Sequence, residues 1–186
     1  MPPPDARNRI LDAAEAVALR EGARRLTLDA AAREAGVSKG GVLYHFPNKT
    51  ALLAGMLERM IEEGSATIER HRAEFAGQAN PTLRALVQTG WEMSQCRSDI
   101  RVALITGLSE DPTLMEPVRA LFDRFWAQVR KECPDEVAAF AIWSAVEGFQ
   151  FFNMFDVCPL AAEQAPRLFE RLMAMIDALP AEEVSP

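Results

Sequence analysis

Apolar residues recur along this chain at intervals of three and four, the spacing of one face of an α-helix. Ile10, Ala14, Val17 and Ala18 mark a first helix from Asp5 to about Glu21, which Gly22 ends. Thr27 and Ser38 stand where they can cap two short helices, the second running from Lys39 to about His45. Asn48 opens a long helix to about Ala76 with Leu52, Leu53, Met56, Leu57, Met60 and Ile61 as its stripe. The segment Gly77 to Pro81 breaks it. Further helices are predicted over 81–96, over 98–109, and from Asp111-Pro112 through Val129 with a restart at Pro117. The last two run over 135–156 and 162–179. No alternating Val/Ile/Thr run lies between turn residues. The predicted class is therefore all-α, with about nine helices.

The stretch 135–156 breaks the one-sided pattern. Phe140, Ile142, Trp143, Val146, Phe149, Phe151, Phe152 and Phe155 surround the helix. A helix that is apolar on every side must be covered on every side, and a chain this small can hardly do so alone. A partner subunit on its outer face is the simplest cover, and Ala141, Ala145 and Gly148 form a small-residue stripe suited to close helix contact. Together with 162–179, this predicts a homodimer.

Residues 27–49, TLDAAAREAGVSKGGVLYHFPNK, carry the clearest chemistry. Asp29 sits in the first turn after Thr27, where the helix dipole favours negative charge. Gly36 stands where the chain must turn sharply, and Val37 plugs that turn. Val42 and Phe46 point inward on the second short helix. Lys39, Gly40, Gly41, Leu43, Tyr44 and His45 are left for its outer face and ends. Two glycines cost that helix about 1 kcal/mol each relative to alanine, which makes sense where another molecule's backbone must come close. Pro47 ends the helix, and Lys49 follows the Asn48 cap, a combination suited to a phosphate. This is a helix-turn-helix for double-stranded DNA.

Residues 10–55, and especially GVSKGGVLYHFPNKTALL (36–53), resemble the DNA-binding domain of the tetracycline-repressor (TetR) family. The resemblance implies a three-helix DNA-binding domain over 1–50 and a helical domain over 51–186 that dimerises and binds an inducer. By position it implies operator contacts from Thr27, Ser38, Lys39, Gly40, Tyr44, His45 and Lys49. The chain departs from the pattern at Leu43, where many members carry an aromatic residue, and at Gly41, where many carry a hydroxyl or amide side chain.

Charge changes this picture little. The chain of 186 residues has net charge −7, divided as +2 over residues 1–55 and −9 over the remainder. A DNA-facing end on an acidic body fits that asymmetry. Affinity must then come from placed contacts and dimerisation rather than a broad basic field. There is no phosphate loop, nucleophile elbow or metal-ligand spacing around His45 or His71. His71 falls on an exposed-looking helix face. Neither an enzyme nor a bound cofactor is expected. The N-terminus lacks a signal-peptide core and no apolar run reaches a membrane span, so a cytoplasmic protein with free thiols is expected. Its cysteines, Cys96, Cys133 and Cys158, read as small buried residues, with redox sensing on DNA as the competing function.

The apolar body suggests a small, lipophilic effector. Trp91, Phe122, Trp126, Trp143 and Phe152 are candidate cavity walls between helices. Glu147 interrupts an otherwise apolar helix, and a buried carboxylate needs a partner. Arg101, Arg130, polar groups of a facing subunit, or a cationic ligand could each supply it.

Overall fold

The computed structural model describes residues 6–22, 25–95 and 112–180. Among them are eight α-helices and no strand: α1 (Ala6–Glu21), α2 (Leu28–Ala35), α3 (Lys39–His45), α4 (Lys49–Glu74), α5 (Pro81–Gln95), α6 (Glu116–Glu132), α7 (Glu136–Met154) and α8 (Ala165–Asp177). The predicted helix over 98–109 lies outside the described residues. Pro112–Met115 forms a 3-10 turn before α6, so Pro117 does stand at a restart. The described residues form two compact units.

The first unit runs to Ile61 and includes the stretch ending at Val118. Its core is made by Ile10, Leu11 and Val17 of α1, Leu26, the alanines of α2, Val42, Phe46, and Leu52, Leu53 and Met56 of α4. Alanines on α2 let α1 and α3 approach it closely. Gly55 does the same for α4, since a Cβ there would lie 2.7 Å from Phe46 Cε1. Ion pairs ring this core. Arg20 joins Glu34 across α1 and α2 at 2.8 Å, and Arg59 of α4 reaches Asp12 at 2.5 Å and also Glu15.

The second unit contains the end of α4, all of α5, α7 and α8, and α6 from Arg119 onward. Leu83, Leu86, Val87, Phe125, Val129, Ile142, Trp143, Val146, Leu172 and Ile176 fill its core. Helices α5 and α7 cross at Gly90, where a Cβ would meet Val146 Cγ2 and Gln150 Nε2 at 2.9 Å. The start of α5 is held from a distance. The Thr82 backbone N–H and hydroxyl donate to the Glu132 carboxylate at 2.8 and 2.6 Å. Buried Arg84 donates to Ala79 O at 2.7 Å and to Asp177 of α8 at 2.5 Å.

The structure corrects the placing of His71. Its side chain is buried, at 3% exposure, rather than exposed. Nδ1 lies 2.8 Å from Glu74 Oε2 and Nε2 lies 3.0 Å from Glu92 Oε2. Helix periodicity on α4 cannot reveal that α5 brings a carboxylate to cover this position. The His71 hydrogen bond holds the Glu74 carboxyl below the usual carboxylate value. At Glu92 burial pushes upward, but the Gln88 amide and His71 together bring it below that value.

Two glycines of α4 test this packing. Gly55→Ala should cost about 1–3 kcal/mol by overpacking. Gly64→Ala, in the same helix but with nothing within 4 Å, should stabilise it, by about 0.5–1 kcal/mol. Thermal midpoints that move in opposite directions check the pair. The lowered Glu74 and Glu92 carboxyls bind protons less readily folded than unfolded. They favour the fold above the usual carboxylate range, and that contribution is lost as pH falls through and below it. The urea midpoint should drop on acidification across this range, and less so in His71→Phe.

Candidate functional site

The chain turns between α2 and α3 because three local groups make it turn. Thr27 Oγ1 accepts from the Ala30 N–H at 3.0 Å and starts α2. Gly36 ends it with φ 65°, the left-handed region open to glycine. The Val37 N–H then donates to Ala32 O at 3.1 Å. Ser38 Oγ accepts from the Gly41 N–H at 3.1 Å and starts α3. Asn48 Oδ1 accepts from the Ala51 N–H at 2.8 Å and starts α4.

With Val42 and Phe46 buried, the rest of α3 is turned outward. Thr27, Ser38, Lys39, Gly40, Leu43 and Tyr44 are exposed, and Gly41, His45 and Lys49 are half-buried. Tyr44, at 84% exposure, meets the edge of the His45 ring, 5.0 Å between centroids. Lys39 Nζ pairs with Asp29 at 3.0 Å, both in solvent. Neither glycine of α3 is required by internal packing. A Cβ on Gly40 would meet only Ser38 Oγ at 3.9 Å, and one on Gly41 the same atom at 3.4 Å and Val37 Cβ at 3.8 Å. These are ordinary van der Waals contacts.

A cavity of about 420 Å³ lies between α6 and α7. Its lining is Phe122, Asp123 and Trp126 from α6 and Phe140, Trp143, Ser144 and Glu147 from α7. The α7 residues are spaced i, i+3, i+4 and i+7, one helical stripe. Trp143 is the hub: its ring lies 5.2 Å from Phe122 and 6.0 Å from Trp126, and Trp126 meets the edge of Phe140 at 5.6 Å. The Trp143 indole N–H donates to Glu147 Oε1 at 3.1 Å. Arg130, one expected partner for Glu147, instead pairs with Glu136 at 3.0 Å. Arg101 lies outside the described residues.

Four of the six predicted lining residues therefore come together: Phe122, Trp126, Trp143 and Glu147. Trp91 and Phe152 do not. Trp91 stacks on Phe149 and Phe169, at 5.8 and 5.3 Å, binding α5 to α7 and α8. Phe152 is five residues past Glu147, about 140° around the helix at 100° per residue, and it faces Phe151 instead. Asp123, Phe140 and Ser144 are lining residues that the sequence reading does not single out. The stripe through Trp143 and Glu147 contains Phe140 and Ser144, so spacing alone could have found them.

The remaining chemistry is sparse. Burial pushes the Cys133 thiol up, away from the reactive thiolate. Cys158 is half-buried, and Cys96 is outside the described residues. Nothing here favours redox sensing. Among the described residues no group of three or more His, Cys, Asp and Glu side chains could hold a metal ion, and no helix is long and apolar enough to cross a membrane.

Residues 10–56 match the pattern of the bacterial regulatory proteins of the tetR family, and residues 80–177 match the tetracyclin repressor-like C-terminal domain. The HTH-type transcriptional regulator BetI of Paraburkholderia phymatum is 24% identical over 172 residues, covering 87% of this chain and 88% of BetI. Among solved structures, a transcriptional regulator from Rhodococcus sp. Rha1 superposes with TM-score 0.76 at 20% identity, over 97% of this chain and all of that one. The multidrug binding protein EbrR complexed with malachite green superposes with TM-score 0.71 at 22% identity, over 95% of this chain and 99% of EbrR. These structures share the fold.

Proposed function

This chain belongs to the TetR family of bacterial regulatory proteins, a DNA-binding transcription regulator and not an enzyme, and on that premise we propose that it is a cytoplasmic homodimeric repressor released from a near-palindromic operator by a small lipophilic molecule. Residues 1–50 form the DNA-binding domain in this reading, and residues 51–186 the ligand-binding and dimerisation domain. The observation that carries it is the aromatic cavity between α6 and α7, built on the same helix that leaves a second apolar stripe uncovered. Val137, Phe152 and Phe155 are exposed on that stripe, with Ala141 and Ala145 between them. A fold neighbour that holds malachite green supports the ligand assignment.

The operator contacts assigned to Thr27, Ser38, Lys39, Gly40, Gly41, Leu43, Tyr44, His45 and Lys49 are supported by their outward placement. Two-fold symmetry puts one α3 in each of two successive major grooves. An effector can weaken DNA binding only by preferring a subunit arrangement that misfits the operator, and only by that difference in free energy.

The glycines of α3 give the sharpest test of the DNA surface. Gly40→Ala and Gly41→Ala should each stabilise the fold, by up to about 1 kcal/mol, yet weaken operator binding by blocking close approach. Operator isolated by DNA pull-down and sequencing serves for fluorescence anisotropy, with thermal melts alongside. Lys39→Ala and Lys49→Ala should weaken binding to all sequences and lower the salt slope by about one for each phosphate no longer neutralised. Asp29→Asn, which frees Lys39 from its carboxylate, should strengthen it. Full operator affinity in a folded Lys39/Tyr44/Lys49 triple alanine variant would refute the assignment. Release is tested with lipophilic compounds that quench tryptophan fluorescence; binding that leaves operator affinity untouched would end the claim of induction.

Gly148 tests the dimer. A Cβ there meets nothing within 4 Å in the single chain, so Gly148→Leu should leave each subunit folded and separate the pair. Sedimentation velocity at micromolar concentration should give a dimer for the unmutated chain and a monomer for the variant. A monomeric unmutated protein overturns this part.

A further inference from the structure

Residues 27–49 contain two carboxylates, Asp29 and Glu34, in a segment read as meeting a polyanion. Glu34 is turned away from α3: it accepts from Arg20 of α1 at 2.8 Å. Asp29 is turned toward α3 and holds Lys39 Nζ with both oxygens, at 3.0 and 3.1 Å. Arg33 stands one turn along α2 from Asp29. It is exposed, and its side chain makes no hydrogen bond or ion pair among the described residues. We propose that Asp29 and Arg33 determine how strongly the chain discriminates its operator from other DNA: Asp29 occupies Lys39 until α3 is seated, and Arg33 then takes over the carboxylate while Lys39 goes to a phosphate. This assignment rests on reading residues 27–49 as the DNA surface, and it adds two residues that act on that surface through Lys39.

The exchange costs little at each step. The Lys39 and Asp29 side chains are 61% and 62% exposed, and an ion pair in water is held weakly. A phosphate can therefore displace the carboxylate. Displacement alone would leave a bare carboxylate beside the DNA backbone, where like charges repel. Arg33 removes that difficulty. Asp29 and Arg33 are spaced i, i+4 with the acid nearer the helix start, the order that favours pairing on an exposed helix face. The guanidinium presents a planar fork of donors matched to a carboxylate. Asp29 lies in the first turn of α2 and Arg33 in the last, so the helix dipole supports both charges where they stand. A second partner is thus in place on α2, and it goes unused while Asp29 holds Lys39.

Discrimination follows from the difference between loose and close binding. Loose binding is electrostatic and independent of sequence. Lys39 has no reason to leave Asp29 there, and the pair presents no net charge to the backbone. Close binding brings a phosphate against Nζ, and only then is the exchange complete. Asp29 thus withholds one cation per subunit from loose binding and almost none from close binding. With a surplus of only two positive charges over residues 1–55, one cation is a large share.

The test follows the full chain by fluorescence anisotropy on two duplexes of equal length, operator recovered by DNA pull-down and a random sequence. Asp29→Asn should strengthen binding to the random duplex by about fivefold and to the operator by less than about twofold, so the ratio of the two affinities falls. The salt slope on the random duplex should steepen by about one for each subunit engaged. Asp29→Glu, which keeps the charge, should restore most of the ratio. Arg33→Gln should weaken operator binding by about fivefold, but by less than about twofold when Asp29→Asn is also present. Both positions are exposed, and thermal melts check that the variants fold. An equal gain on both duplexes in Asp29→Asn, or no gain on either, overturns the role of Asp29. A ratio as low in Asp29→Glu as in Asp29→Asn counts equally against it. An Arg33→Gln loss of the same size in both backgrounds overturns the exchange and makes Arg33 a direct phosphate contact. A native chain that binds the two duplexes equally refutes residues 27–49 as a surface that reads sequence, and this assignment with them.

Discussion

Helix α7 carries apolar residues on more sides than the described residues bury, and much of the second unit is arranged around that fact. Nineteen residues from Glu136 to Met154 present three stripes. One, through Ala139, Ile142, Val146 and Phe149, is buried in the core against α5 and α8. A second, through Phe140, Trp143, Ser144 and Glu147, forms a wall of the cavity. A third, through Val137, Ala141, Ala145 and Phe152, remains open to solvent in the single chain. Burial of each large side chain is worth roughly 1.5–3 kcal/mol, and Val137, Phe140 and Phe152 leave much of that unrealised by staying exposed. On the proposed function a ligand would fill one stripe and a second subunit another, so that a single rigid rod would answer to two occupants.

The DNA-facing unit works under the opposite constraint. Its core is small-residue packing between short helices, with alanines on α2 and Gly55 on α4 allowing close contact. Side-chain caps at Thr27 and Ser38 make α2 and α3 viable, because seven or eight residues form a helix poorly on their own. The outward face of α3 is stripped to backbone at Gly40 and Gly41, so its intrinsic helicity is low where its exposure is high. The surrounding ion pairs, Arg20 with Glu34 and Arg59 with Asp12, fasten neighbouring helices without entering that face.

Much of this is legible from residue spacing. Period-three-and-four patterns locate the longer described helices, and the caps Thr27 and Ser38 locate the short α2 and α3, because caps and periodicity are local physics. What depends on partners distant in sequence is less visible. His71 reads as exposed because α4 alone offers no reason to bury it; Glu92, twenty-one residues away, supplies that reason. Trp91 reads as a cavity wall because an indole does not announce which neighbour it will stack upon. Glu147 stands out as a carboxylate amid aromatic residues, but that it accepts the indole N–H one turn back and that Arg130 pairs with Glu136 are contacts the sequence does not reveal. Asp123 draws no notice because a carboxylate on a half-polar helix is ordinary until a second helix brings another beside it.

The carboxylate of Glu132 at the start of α5 bears on the order in which the chain can become structured. Asn80 occupies the place of a local cap, yet its Oδ1 makes no hydrogen bond among the described residues. The first turn of α5 relies instead on an acceptor fifty residues further on. During synthesis that turn has no acceptor until α6 has emerged almost completely from the ribosome. Among the described residues, by contrast, the fully buried core of the first unit lies between Ile10 and Leu57, with Leu114 and Val118 packed against it from further along the chain. Assembly should thus be vectorial, with the DNA-reading core able to condense while the remainder of the chain is still unfinished. The nascent protein would then acquire its shape for reading nucleic acid before it acquires the means to sense anything.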